Sequence, residues 1–251
     1  HKLTCKERFE TFFDNKEFTL IETPLPKDDP LNFVDKKKYA DRLKAARKLT
    51  GQDDAVLIAQ GKIQNLDVVV GAQDFRFIGG SLGAASGEAF IAGAQHCIEN
   101  NMPFIFFSST GGARMMESLI SLSQMSRSTL AVNELKKKNI PFISVCCEPT
   151  SGGATASYAM LGDTIIAEKG STVCFSGRRV IQDTIRETLP ESFQTAEWAK
   201  DAGQLDLVVE RKYLNSTIGI LLNVLLKKAE AQAKSELTDV TTIDKSLHST
   251  G

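Results

Sequence analysis

The phrase Pro-Phe-Ile, a short apolar run and Gly-Gly-Ala occurs twice in this chain, its prolines 38 residues apart. The first copy runs from Pro103 to Gly111-Gly112-Ala113, the second from Pro141 to Gly152-Gly153-Ala154. Glycine lets a backbone approach a ligand closely. The first turn of a helix presents N–H groups without intrahelical partners, carrying partial positive charge. Two such turns at the ends of neighbouring strands can aim main-chain donors at one oxygen on which negative charge develops. That is the chemistry of an oxyanion hole, and it needs no reactive side chain.

Other constellations are weaker. Gly79-x-Ser81-x-Gly83 matches the pattern of a nucleophile elbow between a strand and a helix. A serine hydrolase also needs a histidine base, and only His96 and His248 follow. His96 lies in the helix launched from the same turn and is expected to point away, while His248 falls in a polar tail. Ser81 therefore reads as a turn and helix-cap residue. Histidines at positions 1, 96 and 248, and five cysteines without ligand spacing, offer no metal site. No phosphate-cradling Gly-x-x-x-x-Gly-Lys-Ser/Thr loop is present. Glu117 and Glu148 stand beside the two turns and have the chemistry of a general acid or base in a hydratase-like site. The plainer expectation is that Glu117 favours the start of its own helix and that Glu148 is solvated. Arg114 suits an anionic ligand and a carboxylate on a neighbouring element equally well.

These residues must be held by strands and helices. Phe104–Phe107 and Phe142–Cys146 are strand-sized apolar runs that lead into the glycine turns. A long helix is expected from about Ala113 to Lys138, and a short one over Ala156–Leu161. Upstream, Ala55–Gln60 and Asp67–Ala72 read as a hairpin that Phe75–Ile78 extends, and Gly79 to Gly83 open a small-residue helix reaching Asn101. Downstream, Ile165–Ala167, Val173–Phe175 and Leu205–Val209 read as strands. Val180–Thr188, Thr195–Ala202 and Leu214–Lys234 read as helices. Residues 1–50 form an N-terminal segment with helices over Lys6–Phe13 and Val34–Leu49, the second capped by Gly51. Residues 51–234 form the main domain and 235–251 a flexible tail. Strands followed by helices, repeated, indicate an α/β layered fold.

Composition narrows the function classes. The 251 residues are 42% hydrophobic and 24% charged with a formal net charge of −1, which gives no basic surface for nucleic acid. The apolar runs are too short to cross a bilayer, so no membrane role is expected. The odd number of cysteines and the lack of a Cys-x-x-Cys pair suit reduced thiols in the cytoplasm.

Several ordered motifs together resemble one family, the carboxyltransferase β subunit of bacterial-type acetyl-CoA carboxylase. They are Lys38-Tyr39-x-Asp41-Arg42-Leu43, Gly79-Gly80-Ser81, Thr110-Gly111-Gly112-Ala113-Arg114-Met115, Pro149-Thr150-Ser151-Gly152-Gly153-Ala154, Ala159-Met160-Leu161-Gly162-Asp163 and Arg179-Val180-Ile181. The likeness runs from about Leu3 to Val209. It implies a crotonase-like fold, a spiral of repeated ββα units. It also implies carboxyl transfer from carboxybiotin, borne on a biotin carboxyl carrier protein, to acetyl-CoA, giving malonyl-CoA for fatty acid synthesis. Under this resemblance Gly111-Gly112 and Gly153-Ala154 supply the catalytic N–H donors, and Gly79, Gly80, Ala113, Arg114, Gly152 and Arg179 line the substrate. The biotin ureido nitrogen acts as base, so a missing histidine is expected.

The family's site takes two crotonase-like units and this chain has room for one. The resemblance therefore implies a carboxyltransferase α subunit, in an α2β2 assembly that works with biotin carboxylase. Met115, Met116 and their neighbours are candidates for that contact. Two departures stand out. The family's four-cysteine zinc ribbon is missing, with only Cys5 near the start, so no metal is expected here and the ribbon is expected to be truncated upstream of His1. Gly177-Arg178 stands where the family reads Gly-Pro. The alternatives left open are a free-standing enoyl-CoA hydratase or decarboxylase using Glu117 or Glu148, another acyl-CoA carboxyltransferase, and a non-enzymatic homologue with a vestigial site.

Overall fold

The computed structural model describes residues 1–227, Arg179 by its backbone alone. Within them β1 (Phe18–Ile21), β2 (Val56–Ile63), β3 (Leu66–Gln73), β4 (Phe104–Thr110), β5 (Phe142–Ser151), β6 (Thr164–Glu168), β7 (Val173–Cys174) and β8 (Leu207–Val209) make one sheet. Its order is β1-β2-β3-β4-β5-β6-β8, with β7 on the far end of β5. β1, β2 and β3 pair antiparallel, and from β3 onward every pairing is parallel. The helices are α1 (Cys5–Phe12), α2 (Tyr39–Thr50), α3 (Ala84–Asn100), α4 (Leu119–Lys137), α5 (Arg178–Ile185), α6 (Ala196–Asp201) and α7, residues 214–227.

Every residue of β4 is buried, as expected of a central parallel strand covered on both faces. Alternation divides its side chains. Phe104 and Phe106 join Phe90 of α3, Phe142 and Tyr158 in one aromatic cluster. Ile105 and Phe107 face the other way, towards Phe9 and Phe12 of α1 and Leu214, Ile218 and Leu222 of α7. Burying one such aromatic contributes about 1.5–3 kcal/mol, so α1 belongs to the core of the sheet. A reciprocal capping box starts α1: Thr4 Oγ1 accepts from the Glu7 N–H, and Glu7 Oε2 from the Thr4 N–H.

Five expectations need correction. The short helix expected over Ala156–Leu161 is a turn running into a single 3-10 turn, Tyr158–Met160. The strand β1 lies in a segment read as helical and linker-like; its alternation is too short to register. Phe75–Ile78 is a turn, with a 3-10 turn at Ile78–Gly80, and adds nothing to the sheet. The helix expected from Val34 begins only at Tyr39. The long helix expected from Ala113 is broken into a 3-10 turn, Met115–Glu117, and α4, with Ser118 between them at φ 50°. The cause is side-chain chemistry: Glu117 is drawn to α2 and α3, and Ser121 Oγ donates to the Arg114 carbonyl at 2.5 Å. Among the described residues no helix is long and apolar enough to cross a membrane. The expected flexible tail, 235–251, lies outside the described residues, as does the end of the helix expected to reach Lys234.

Candidate active site

The two glycine turns meet at the C-terminal ends of β4 and β5. Their ladder runs regularly from Phe104 opposite Phe142 to Ser108 opposite Cys146, then slips before Thr110 opposite Thr150. Hydroxyl groups take over where regular pairing stops. Ser109 Oγ donates to Glu148 O at 2.9 Å, Thr150 Oγ1 to Ser108 O at 3.0 Å and Ser151 Oγ to Thr110 O at 3.1 Å. Beyond these clips the two chains touch backbone to backbone. A Cβ on Gly112 would lie 3.2 Å from Gly152 Cα and from Gly153 N, and one on Gly152 would lie 3.0 Å from Gly112 Cα. Their φ angles, +110° and +63°, fall where side chains are strained. Space and backbone conformation both demand glycine at these two positions.

The N–H groups of the turns divide into committed and open. Gly111 N–H donates to Gly79 O at 2.9 Å, and Gly112 N–H to Thr110 Oγ1 at 3.0 Å. Gly152 N–H donates to Phe175 O at 3.0 Å. The expectation that Gly111-Gly112 supplies a donor is corrected by these bonds, because both N–H groups hold the turn's own shape. The next residue differs. Leu82 N–H donates to Gly112 O at 2.9 Å, and Arg114 N–H to Leu82 O at 2.8 Å, making Leu82 and Ala113 a parallel bridge. The peptide joining Gly112 to Ala113 is planar and trans. With its carbonyl directed at Leu82, its N–H must point the opposite way.

That direction leads to the second turn, where Ala113 N lies 3.5 Å from the Cβ position of Gly153. Among the described residues the Ala113 N–H has no acceptor. Gly153 is the second residue of a 3-10 turn, Gly152–Ala154, so its N–H has no intrahelical partner. Ala154, fully buried, completes that turn. The two loops are thus brought into contact, with the acceptor-free Ala113 N–H beside Gly153.

Gly79 and Gly80 support the first turn. They follow Ile78 in a left-handed run with φ of 47°, 67° and 61°; for a β-branched residue such as Ile78 this is strained. Gln73 Nε2 donates to Gly80 O at 3.0 Å, and Tyr158 OH donates to Gln73 Oε1 at 3.0 Å. The support of the first turn is thereby tied to the segment that follows the second. Burial raises the Tyr158 phenol well above its ordinary range, which keeps it protonated as a donor.

Arg114, assigned to substrate, instead sits inside the protein at 1% exposure, which answers the question left open between ligand and carboxylate. Its guanidinium makes a bidentate pair with Asp54, at 2.6 and 2.7 Å, and reaches Ser81, Tyr39 and Glu117. Burial alone would lower its pKa. The charge and hydrogen bonds of Asp54, with Tyr39 and Glu117, raise it instead, so the cation is secure. Glu117 is equally enclosed. It accepts from Tyr39 OH and from the Ala84 N–H at 2.6 Å, so it caps α3 rather than the helix it precedes. Ser81 is correspondingly no cap: Gly83 holds the cap position of α3, and Ser81 Oγ accepts from Arg114 Nε at 3.0 Å.

The rival chemistries lose their side chains. His96 Nε2 pairs with Gln60 Oε1 at 2.7 Å, leaving Ser81 without a base, and His248 lies outside the described residues. Glu148 Oε2 accepts from the Thr172 N–H at 2.6 Å, and Glu117 is committed, so neither carboxylate is held towards the turns as a hydratase acid or base. Arg179 lies in the first turn of α5; its side chain is outside the described residues. Arg178 is the first residue of α5, a position that also suits proline, and its guanidinium bonds the carbonyls of Leu189 and Glu191. Met116 is buried among Tyr39, Leu43 and Phe77 and is no surface candidate, whereas Met115 and Leu119 are 70% and 75% exposed.

Sequence reasoning missed the hydroxyl clips and the Asp54–Tyr39 end of the arginine cluster. The clips carried a signal: Ser108-Ser109-Thr110 and Thr150-Ser151 each fall just before a Gly-Gly, at matching places in the repeated phrase. Asp54 and Tyr39 carried none by spacing, since they lie 60 and 75 residues from Arg114.

Residues 29–246 match the family described as carboxyl transferase domain. The acetyl-coenzyme A carboxylase carboxyl transferase subunit beta of Pelagibacter ubique (strain HTCC1062) is 55% identical over 236 residues, covering 94% of this chain and 76% of the relative. That of Brucella abortus (strain 2308) is 50% identical over 227 residues, 90% of this chain and 75% of the relative. Among solved structures, transcarboxylase 12S with hydrolysed methylmalonyl-coenzyme A bound superposes with a TM-score of 0.71 at 25% identity, covering 88% of this chain but only 41% of that one. The Pseudomonas malonate decarboxylase MdcD-MdcE hetero-dimer has the same fold, with a TM-score of 0.66 at 19% identity. The fold is therefore crotonase-like, as the motifs implied. With these relatives, and with two abutting glycine turns at its centre, the chain belongs to the family of acetyl-coenzyme A carboxylase carboxyl transferase β subunits.

Proposed function

We propose that this chain binds the thioester of acetyl-CoA with its carbonyl oxygen between the N–H groups of Ala113 and Gly153, and serves carboxyl transfer that forms malonyl-CoA. The observation that supports the reading is the Ala113 N–H, half-buried beside the second turn with no acceptor among the described residues, next to a helical first-turn N–H at Gly153. Removing a proton beside a thioester places negative charge on that oxygen. Donors already in place stabilise the enolate without reorganising, and one such donor contributes about 2.7–4 kcal/mol to catalysis. Carboxybiotin, carried by a partner protein, supplies the carboxyl group and the ureido nitrogen that takes the proton. Glu117, Glu148 and His96 are each committed to other partners, which fits that division of labour. The chain's own part is to bind, orient and stabilise charge with main-chain groups. Gly79, Gly80 and Gly152 shape the walls, and Arg179 is a substrate contact on α5.

The chain spans 41% of the transcarboxylase chain it matches. We infer that it supplies half of a site, which an α subunit completes in an α2β2 assembly with the biotin carboxyl carrier protein and biotin carboxylase. Met115, Leu119 and Leu122, exposed beside the first turn, are the proposed contact with that subunit. The proposed setting is the cytoplasm, in keeping with five free, buried cysteines. Co-purification with a matching α subunit, followed by malonyl-CoA-dependent carboxylation of free biotin, tests the reading. Turnover by the pair and by neither chain alone is expected; an inactive pair, or enoyl-CoA hydration by this chain alone, contradicts it.

A further inference from the structure

Arg114 has no N–H left for a ligand. Nε donates to Ser81 Oγ at 3.0 Å, Nη2 to Ser81 O at 2.8 Å and Asp54 Oδ1 at 2.7 Å, and Nη1 to Asp54 Oδ2 at 2.6 Å. Nη1 also reaches Tyr39 OH at 3.1 Å and Glu117 Oε1 at 3.2 Å. The fork therefore ties together α2, the segment before β2, the approach to α3 and the 3-10 turn Met115–Glu117. Two carboxylates meet one guanidinium here. The excess negative charge is answered by the start of α3, whose Ala84 N–H donates to Glu117 Oε2. A buried group so fully satisfied holds one geometry, because losing any partner leaves another polar group unpaired in a medium of low dielectric.

That geometry is the one that aims the Ala113 N–H. Arg114 grips Ser81 with its side chain and Leu82 with its main-chain N–H, and Leu82 in turn fixes the Gly112 carbonyl. The direction of the Ala113 N–H follows from that carbonyl through a planar peptide. If the Ser81-Leu82 segment moves, the donor turns with it.

We propose that Arg114, held by Asp54, Tyr39 and Glu117, is a positioning residue for carboxyl transfer that keeps the Ala113 N–H aligned with Gly153 before charge develops on the substrate oxygen. This rests on the function proposed above. A positioning residue acts on a donor used chiefly in the transition state, so its loss appears in kcat rather than in KM. Misplacing a catalytic group by about 1 Å costs on the order of 10²-fold.

The test compares Arg114→Lys and Tyr39→Phe with the wild-type chain, each assembled with the α subunit. Turnover is expressed per folded, assembled molecule, with circular dichroism and size exclusion as checks. Lysine keeps the charge but not the planar fork, so Arg114→Lys is expected to lose kcat by about 10²-fold. Its KM for malonyl-CoA is expected to stay within about threefold. Tyr39→Phe keeps the buried ring and removes one hydroxyl from the cluster; it is expected to lower kcat by about fivefold with KM unchanged. Wild-type kcat in either variant, or a loss confined to KM, overturns the proposal. Should Arg114→Lys not fold, Tyr39→Phe decides alone. A wild-type pair without turnover defeats the functional reading instead, so the two failures are distinguishable.

Discussion

Small side chains do most of the work at the turns. Ser109, Thr150 and Ser151 clip β4 to β5 across the slipped register, and the clips bring Gly112 and Gly152 into backbone contact. Gly112→Ala should therefore be damaging twice over. It places a side chain at φ +110°, costing about 1–3 kcal/mol, and pushes a methyl against Gly152 and Gly153. Turnover by the assembled enzyme is expected to fall by about 10²-fold or more while the chain still folds; wild-type turnover in the alanine variant would show that the close approach is incidental. The Gly-Gly doublets were legible from residue type alone, because few other reasons place glycine after a buried strand twice in one phrase. Which N–H groups stay open was not legible. That depends on where Gly79 O and Leu82 fall, which are long-range facts, and on the rotamer that brings Thr110 Oγ1 to the Gly112 N–H two residues on.

At the scale of elements, the deciding feature is the break between Glu117 and α4. A sequence reader sees apolar residues from Met115 onward at helical spacing and runs the helix back to Ala113. The competing term is Glu117, which is drawn away to cap α3 and to receive Tyr39 OH. Glu117→Gln keeps the shape but removes the charge at the start of α3. It is expected to cost about 2 kcal/mol, the worth of a hydrogen bond to a charged group. For a chain of this size that lowers the melting temperature by roughly 4–8 °C. Thermal unfolding of the purified chain checks it. A melting temperature equal to wild type would mean that the carboxylate contributes nothing to joining α2, α3 and the first turn. The paired strands were largely readable, since β4 opens on the apolar run Phe104–Phe107 and β5 on the largely apolar Phe142–Cys147. β1 was not: four residues at a sheet edge give too short a pattern to stand out.

Across the whole molecule, distant segments are joined by buried charge. Glu168 of β6 receives Arg8 of α1 at 2.5 Å and Arg211 at 3.0 Å. Burial would raise the Glu168 pKa, but hydrogen bonds and charge from Arg211 and Arg8 outweigh it and hold the carboxyl below its usual value. The unfolded chain thus binds the proton more readily. Stability from this group is fully present above the ordinary glutamate value of about 4.3 and is lost as pH falls through the lower folded value. Glu168→Gln should flatten the acid side of the stability curve; an unchanged slope below pH 5 would remove Glu168 from that account. The same long-range joining explains why α1 proved part of the core, a role its phenylalanine spacing suggested without naming a partner. Its counterpart at the proposed site is the contact between Gly-Gly-Ala turns 41 residues apart. The most direct test replaces Ala113 by its α-hydroxy acid analogue, exchanging the open N–H for an ester oxygen without adding bulk. With the α subunit supplied, kcat for malonyl-CoA-dependent biotin carboxylation is expected to fall by about 10²–10³-fold. A kcat equal to wild type would contradict the assignment of Ala113 as a donor to the substrate oxygen.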